Sequence, residues 1–158
     1  MCTVRRGAVN DKQRFTLVIR LHPLWRELGG SFSSSGKDVK LQCIVDEKYS
    51  SYDWLHACQR IITDYSALGL EAALTGKPVY YYLYDLDDYK EKVGLNIDPL
   101  EEIPEASATD GAGLSRLLAQ PYDHDALRRF RDAYIDIETG RCTEKLGEYV
   151  YGIAEKIH

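Results

Sequence analysis

The chain has 158 residues, enough for one domain with its own core, and its 44% hydrophobic and 28% charged residues are the balance of an ordinary globular protein. A net charge of −5 argues against a general nucleic-acid surface, although backbone amides and a few placed side chains can still hold a phosphate. No apolar stretch approaches the ~20 residues that span a bilayer.

Residues 1–14 are polar and charged and do not read as a signal peptide. They are expected to be disordered or vector-derived. A strong strand follows them at once, which suggests a domain, residues 15–158, cut from a longer chain. Residues 15–21 (FTLVIRL) form a β-branched apolar run stopped by His22-Pro23, the pattern of a buried strand. A helical turn at 25–28 and a flexible GGSFSSSG loop at 29–36 precede a second strand at 40–45. Tyr52, Leu55 and Cys58 recur at helical spacing, predicting a helix over 52–59 capped by Ser50 or Ser51. Residues 60–63 (RIIT) read as a short strand, and Asp64-Tyr65-Ser66 turns the chain into a helix over 66–74, ended by Gly76 and Lys77-Pro78. Residues 79–84 (VYYYLY) are an aromatic strand. The acidic stretch 85–104 reads as loop with one helical turn, and helices are expected over 113–119, 125–136 and 143–157. Strands alternating with helices at short intervals predict an α/β fold, a parallel sheet flanked by helices. The cysteines, Cys2, Cys43, Cys58 and Cys142, show neither a CxxC nor a zinc spacing and read as buried free thiols in a reducing compartment.

In such a sheet ligands bind beyond the carboxyl ends of the strands. His22, the Thr63-Asp64-Tyr65-Ser66 turn and Tyr84-Asp85 all fall at strand ends of this kind. A helix start offers unpaired N–H groups and partial positive charge, a natural seat for phosphate oxygens. Ser66 and Thr63 can add hydroxyls there, or Ser66 can serve only as a cap. His22 can face a phosphate or merely close a strand. Glu71 can accept from a ribose diol or stand as a solvated helix charge. Asp85, Asp87 and Asp88 cluster, but an acidic loop is more often solvated than metal-binding, so no metal is assigned. There is no Gly-rich phosphate loop.

Four segments occur in order: IRLHP at 19–23, IITDYS at 61–66, KPVYYYLYDLDDY at 77–89 and DIETGR at 136–141. Together they resemble the C-terminal half of the CDP-glycerol:poly(glycerophosphate) glycerophosphotransferases, the teichoic-acid primases and polymerases, from about residue 15 to 157. The resemblance implies two Rossmann-like domains in the GT-B arrangement, with this chain as the donor-binding half. It implies a CDP-alcohol donor and no separate cofactor. The polyol-phosphate or lipid-linked acceptor, and the catalytic base, would be met through an N-terminal half absent here. It also implies a cytoplasmic enzyme resting on the inner face of the membrane. Carried across by position, His22 faces the donor pyrophosphate as a catalytic residue. Thr63, Asp64 and Ser66 cradle that pyrophosphate, and Glu71 suits the ribose. Asp85 and Tyr89 border the cleft, and Gly140-Arg141 approach it.

The chain departs from the family pattern at Ala67, where a second serine is usual, at Gln59, where an aspartate is usual, and at Lys92-Val93-Gly94-Leu95-Asn96, where an arginine-glycine-aromatic segment is usual. These departures leave the polyol and acceptor open. A nucleotide-sugar transferase of the same fold and a non-catalytic α/β binding module are the rival expectations. A receiver-like module fits poorly, since it leaves ITDYS unexplained.

Overall fold

A computed structural model describes residues 2–5, 15–19, 42–45, 48–136 and 140–157. In chain order these form β1 (Cys2–Arg5), β2 (Phe15–Ile19), β3 (Gln42–Val45), α1 (Ser51–Ala57), β4 (Arg60–Thr63), α2 (Leu68–Ala73), β5 (Val79–Tyr82), α3 (Leu86–Lys92), α4 (Pro99–Glu102), a 3-10 turn (Pro104–Ala106), β6 (Ser107–Ala108), α5 (Gly111–Ala119), α6 (His124–Tyr134) and α7 (Cys142–Ile157). The fold is α/β and Rossmann-like. The predicted helical turn at 25–28 and loop at 29–36 lie outside the described residues.

The sheet runs β3-β2-β1-β4-β5-β6. β4, β5 and β6 are parallel neighbours, with Ile61 beside Val79, Thr63 beside Tyr81 and Tyr81 beside Ser107. β2 and β3 are also parallel. Between the two groups β1 runs antiparallel to both β2 and β4. The sheet is therefore mixed, and residues 2–5 belong to it. This corrects the expectation that 1–14 lies outside the fold. Four residues with only Thr3 and Val4 β-branched are too few to give an alternating signal, and their pairing comes from two strands distant in sequence.

Elsewhere the elements follow local chemistry. Ser50 opens α1 with a capping box: its hydroxyl accepts from the Asp53 N–H at 3.1 Å, and the Asp53 carboxylate accepts from the Ser50 N–H at 2.8 Å. Lys77 closes the other end, its ammonium donating to the carbonyls of Leu55 (2.7 Å) and His56 (2.5 Å). Gly76, at φ +67°, takes the left-handed turn that stops α2. Ile61 and Ile62 of β4, and Val79, Tyr80 and Tyr81 of β5, are buried on both faces, as a central parallel ladder requires. The core gathers Ile61, Val79, Tyr81 and Leu83 with Ala72 and Ala73 of α2 and Leu127 and Phe130 of α6.

The acidic stretch 85–104 holds two helices rather than a loop. Leu86 is buried and Tyr89, three positions on, is half-buried, while Asp87 and Asp88 sit in the first turn of α3, where negative charge favours a helix. Asp98 caps α4, accepting from the Leu100 N–H at 3.0 Å, with Pro99 in first position. Cys58 is buried and disulfide-bonded, which corrects its assignment as a free thiol. Cys142 is exposed at the start of α7 rather than buried.

Candidate functional site

β4 ends at half-buried Thr63, at the carboxyl edge of the parallel strands, and the chain turns through Asp64, Tyr65 and Ser66 before α2 begins. The Asp64 carboxylate accepts from the Ser66 N–H at 3.1 Å and fixes this turn from within. The Ser66 hydroxyl oxygen accepts from the Leu68 N–H at 3.3 Å, which leaves its hydrogen able to donate outward. α2 starts two residues later than expected, at Leu68 with Ala67 in the cap position, because Ser66 is spent on a tight turn in which the Gly69 N–H donates to the Ser66 carbonyl at 3.0 Å. Asp64 and Ser66 are both exposed.

Tyr65, not singled out from sequence, anchors the turn from behind. Its hydroxyl donates to Asp85 Oδ1 at 2.9 Å, and its ring stacks on Tyr89 with centroids 3.9 Å apart and planes 16° apart. Burial, and then the bond to Asp85, push the Tyr65 hydroxyl far above its ordinary pKa, so it stays a neutral donor. Asp85 stands at the cap position of α3 but makes no cap bond there. Asp85 and Tyr89 thus meet the turn as braces. Nothing in the sequence could reveal this, because the pair forms only when β4 and β5 lie side by side. The rest of the acidic cluster is accounted for: Asp88 pairs with Lys92 at 2.8 Å and Asp87 is exposed. Among the described residues no group of three or more His, Cys, Asp or Glu is placed to hold a metal.

Glu71 is half-buried on α2, and hydrogen bonding towards its carboxylate, then the carboxylate charge, raise the pKa of the exposed Tyr52 on α1. Tyr84 is exposed just past β5, and its pKa is raised first by the Asp85 charge, then by burial and by Asp64. Arg141 Nε donates to Glu144 at 2.8 Å at the start of α7, and among the described residues no hydrogen bond or ion pair links it to the turn. His22 lies outside the described residues. β2, which precedes it, runs in the same direction as β4, so both strands end at one edge of the sheet; β1 stands between them, which sets those ends about 10 Å apart. A separate concave surface is lined by Arg131 to Asp136 and includes none of the candidate residues.

A family model described as CDP-Glycerol:Poly(glycerophosphate) glycerophosphotransferase matches residues 4–152. The chain belongs to this family. Within it, the teichoic acid glycerol-phosphate primase of Bacillus subtilis (strain 168) is 28% identical over 141 residues, covering 88% of this chain and 35% of the primase. The teichoic acid glycerol-phosphate primase of Bacillus spizizenii (strain ATCC 23059 / NRRL B-14472 / W23) is 30% identical over 145 residues, covering 88% and 35%. The teichoic acid ribitol-phosphate primase of the same strain is 25% identical over 147 residues, covering 92% and 36%. The chain spans about a third of the length of these curated relatives. Glycerophosphotransferase-family membership agrees with the resemblance read from the four sequence segments. No helix among the described residues is long and apolar enough to cross a membrane.

Proposed function

We propose that this chain is the donor-binding portion of a transferase that moves glycerol phosphate, or a related polyol phosphate, from a CDP-activated donor to an acceptor hydroxyl in teichoic-acid synthesis. The observation that carries the reading is the Thr63-to-Ser66 turn. It is held rigid by Asp64 and Tyr65 at the carboxyl edge of the β4/β5 pair, in a chain that belongs to a glycerophosphotransferase family. In this reading Thr63 and Ser66 donate hydroxyls to the donor diphosphate, and Asp64 shapes the turn rather than touching the anion, since its own charge would repel it. Glu71 accepts from the ribose hydroxyls.

The reaction is a phosphoryl transfer. The acceptor oxygen forms a bond to the donor's β-phosphorus, and the bond from that phosphorus to the bridging oxygen breaks. CMP leaves with the electron pair, and the acceptor's proton goes to a general base. Fixed donors aimed at the phosphate oxygens stabilise the charge that builds up on the leaving group and on the transferring group. Ser66 would supply one, and His22, which follows β2 in the sequence, another. The described residues offer no base beside the turn, which fits a two-domain GT-B enzyme whose other half supplies it, together with the site for a polyol-phosphate or lipid-linked acceptor. Use of a cytosolic nucleotide donor would place the enzyme on the inner face of the membrane.

Calorimetric titration with CDP-glycerol, CMP and a UDP-sugar tests the reading. Heat with both cytidine nucleotides, weakened by Ser66→Ala about tenfold for a lost charge-assisted hydrogen bond, is the expected result. Heat with the UDP-sugar alone would favour a nucleotide-sugar transferase, and heat with none of the three would remove the donor site.

A further inference from the structure

β1 is held by unequal seams. It pairs with β2 along its whole length, Cys2 to Arg5, but with β4 only where Cys2 lies beside Ile61 and Thr3 beside Arg60. A short strand at a chain end frays readily. In the sheet order β1 joins the parallel pair β2 and β3 to the parallel strands β4 to β6, so this seam is the weak line of the sheet. Cys58 stands next to it. It is 1% exposed, ends α1 just before β4 begins, and is disulfide-bonded. Strand register places the cysteines that could meet it. Val18 on β2, Cys2 on β1 and Ile61 on β4 form one row across the sheet, so all three positions share a face. The α1 segment covers that row on both sides of Cys2: Trp54 and Cys58 pack with Val18, and Leu55 belongs to the core cluster of Ile61. α1 also lies against β1. Cys43 on β3 is in register with Leu17, the neighbour of Val18, and so occupies the opposite face. Cys142, exposed at the start of α7, carries a thiol.

We infer that Cys58 is bonded to Cys2, and that this disulfide is a redox-sensitive latch on the seam between β1 and β4. It ties the first strand of the chain to the entry of β4. A dithiol reductant opens it. The reductant's thiolate attacks one sulfur, two electrons and two protons pass to the cysteines, Cys2 and Cys58 become thiols, and the reductant becomes a disulfide. β1 is then held to β4 by its short pairing alone, and the two parallel groups of strands are free to separate along the seam. The burial of Cys58 makes the latch slow to open, because a reductant reaches the sulfur only when β1 lifts. The latch is independent of what the turn at Ser66 binds.

The test oxidises the chain with glutathione disulfide, alkylates the remaining thiols and maps the peptides by mass spectrometry. A cross-linked pair of peptides holding Cys2 and Cys58, with Cys43 and Cys142 alkylated, is the expected result. Amide hydrogen exchange is then followed with and without dithiothreitol, on the wild type and on Cys2→Ser and Cys142→Ser. Reduction is expected to speed exchange in β1 and β4 by about tenfold or more, while β5 and α6 stay unchanged. Cys2→Ser without reductant should match the reduced wild type, and Cys142→Ser should match the wild type under both conditions. Cys58 linked to Cys43 or Cys142, or itself alkylated, would overturn the pairing. Exchange unmoved by dithiothreitol would overturn the latch, since the bond would then hold nothing in place. Exchange that rises equally in every element would also overturn it, since the bond would then be a staple on the whole fold.

Discussion

A Cβ added at Gly69 would lie 2.5 Å from the Tyr81 hydroxyl and 2.7 and 2.9 Å from two carbons of its ring. The ring is rigid and buried against Phe130, so it cannot step aside. Gly69→Ala is expected to destabilise the chain by about 1–3 kcal/mol in urea, despite the better helix propensity of alanine, because the core is overfilled. The Tyr81 hydroxyl is buried and has no hydrogen-bond partner among the described residues. Tyr81→Phe should therefore be neutral, or stabilising by up to about 1 kcal/mol, and should partly rescue Gly69→Ala. Tyr65→Phe should behave in the opposite way, losing about 1 kcal/mol with the bond to Asp85 and loosening the Ser66 turn. Equal stability for the two Tyr→Phe variants would contradict the roles given to them. The residues that make contacts within a few positions, Asp64, Ser66 and Gly76, could be read from the sequence, since their chemistry is local. Tyr65 and Gly69 could not, because each owes its role to a partner on another element.

At the scale of elements, the strand over 60–63 and the helices from 111 onward follow from periodicity and caps, and Gly76-Lys77-Pro78 stops α2 as its residues demand. The failures have a physical reason too. In 85–104 the acidic residues mask the apolar spacing of Leu86 and Tyr89, and those same acids favour the start of α3 through the helix dipole. Lys77 reads as part of a stop signal, yet its ammonium closes the carboxyl end of α1 across 22 residues of sequence. α1 is seven residues long, too short to persist without its ends secured. Lys77→Met is expected to cost about 1 kcal/mol and to speed amide hydrogen exchange in α1 more than in α6. Uniform exchange across the chain would show that Lys77 supports only global stability.

Over the whole molecule, three tyrosines set a limit on the alkaline side. Burial is the largest cause of the raised pKa at Tyr65, Tyr81 and Tyr122, and Tyr122, whose hydroxyl also spans both backbone groups of Val79, is pushed up to about 12. All three are neutral in the fold and can ionise in the unfolded chain from the ordinary value of about 10. Folding stability is therefore complete below about pH 10 and falls as pH rises towards 12, because the unfolded chain then binds fewer protons. A paired titration checks this: tyrosinate absorbance from these residues should appear only as the circular dichroism signal is lost. Full ionisation near pH 10 with the signal intact would contradict their burial.

The α/β class could be read from alternating strands and helices, whereas the antiparallel β1 could not, since its place depends on two distant strands. The central claim is that a CDP-activated donor rests on the turn between β4 and α2. Nuclear magnetic resonance of the ¹⁵N-labelled chain, titrated with CDP-glycerol, tests it most directly. The account predicts that the largest saturable amide shifts fall at Thr63 to Leu70. Shifts confined to the surface formed by Arg131 to Asp136, or none at all, would contradict it.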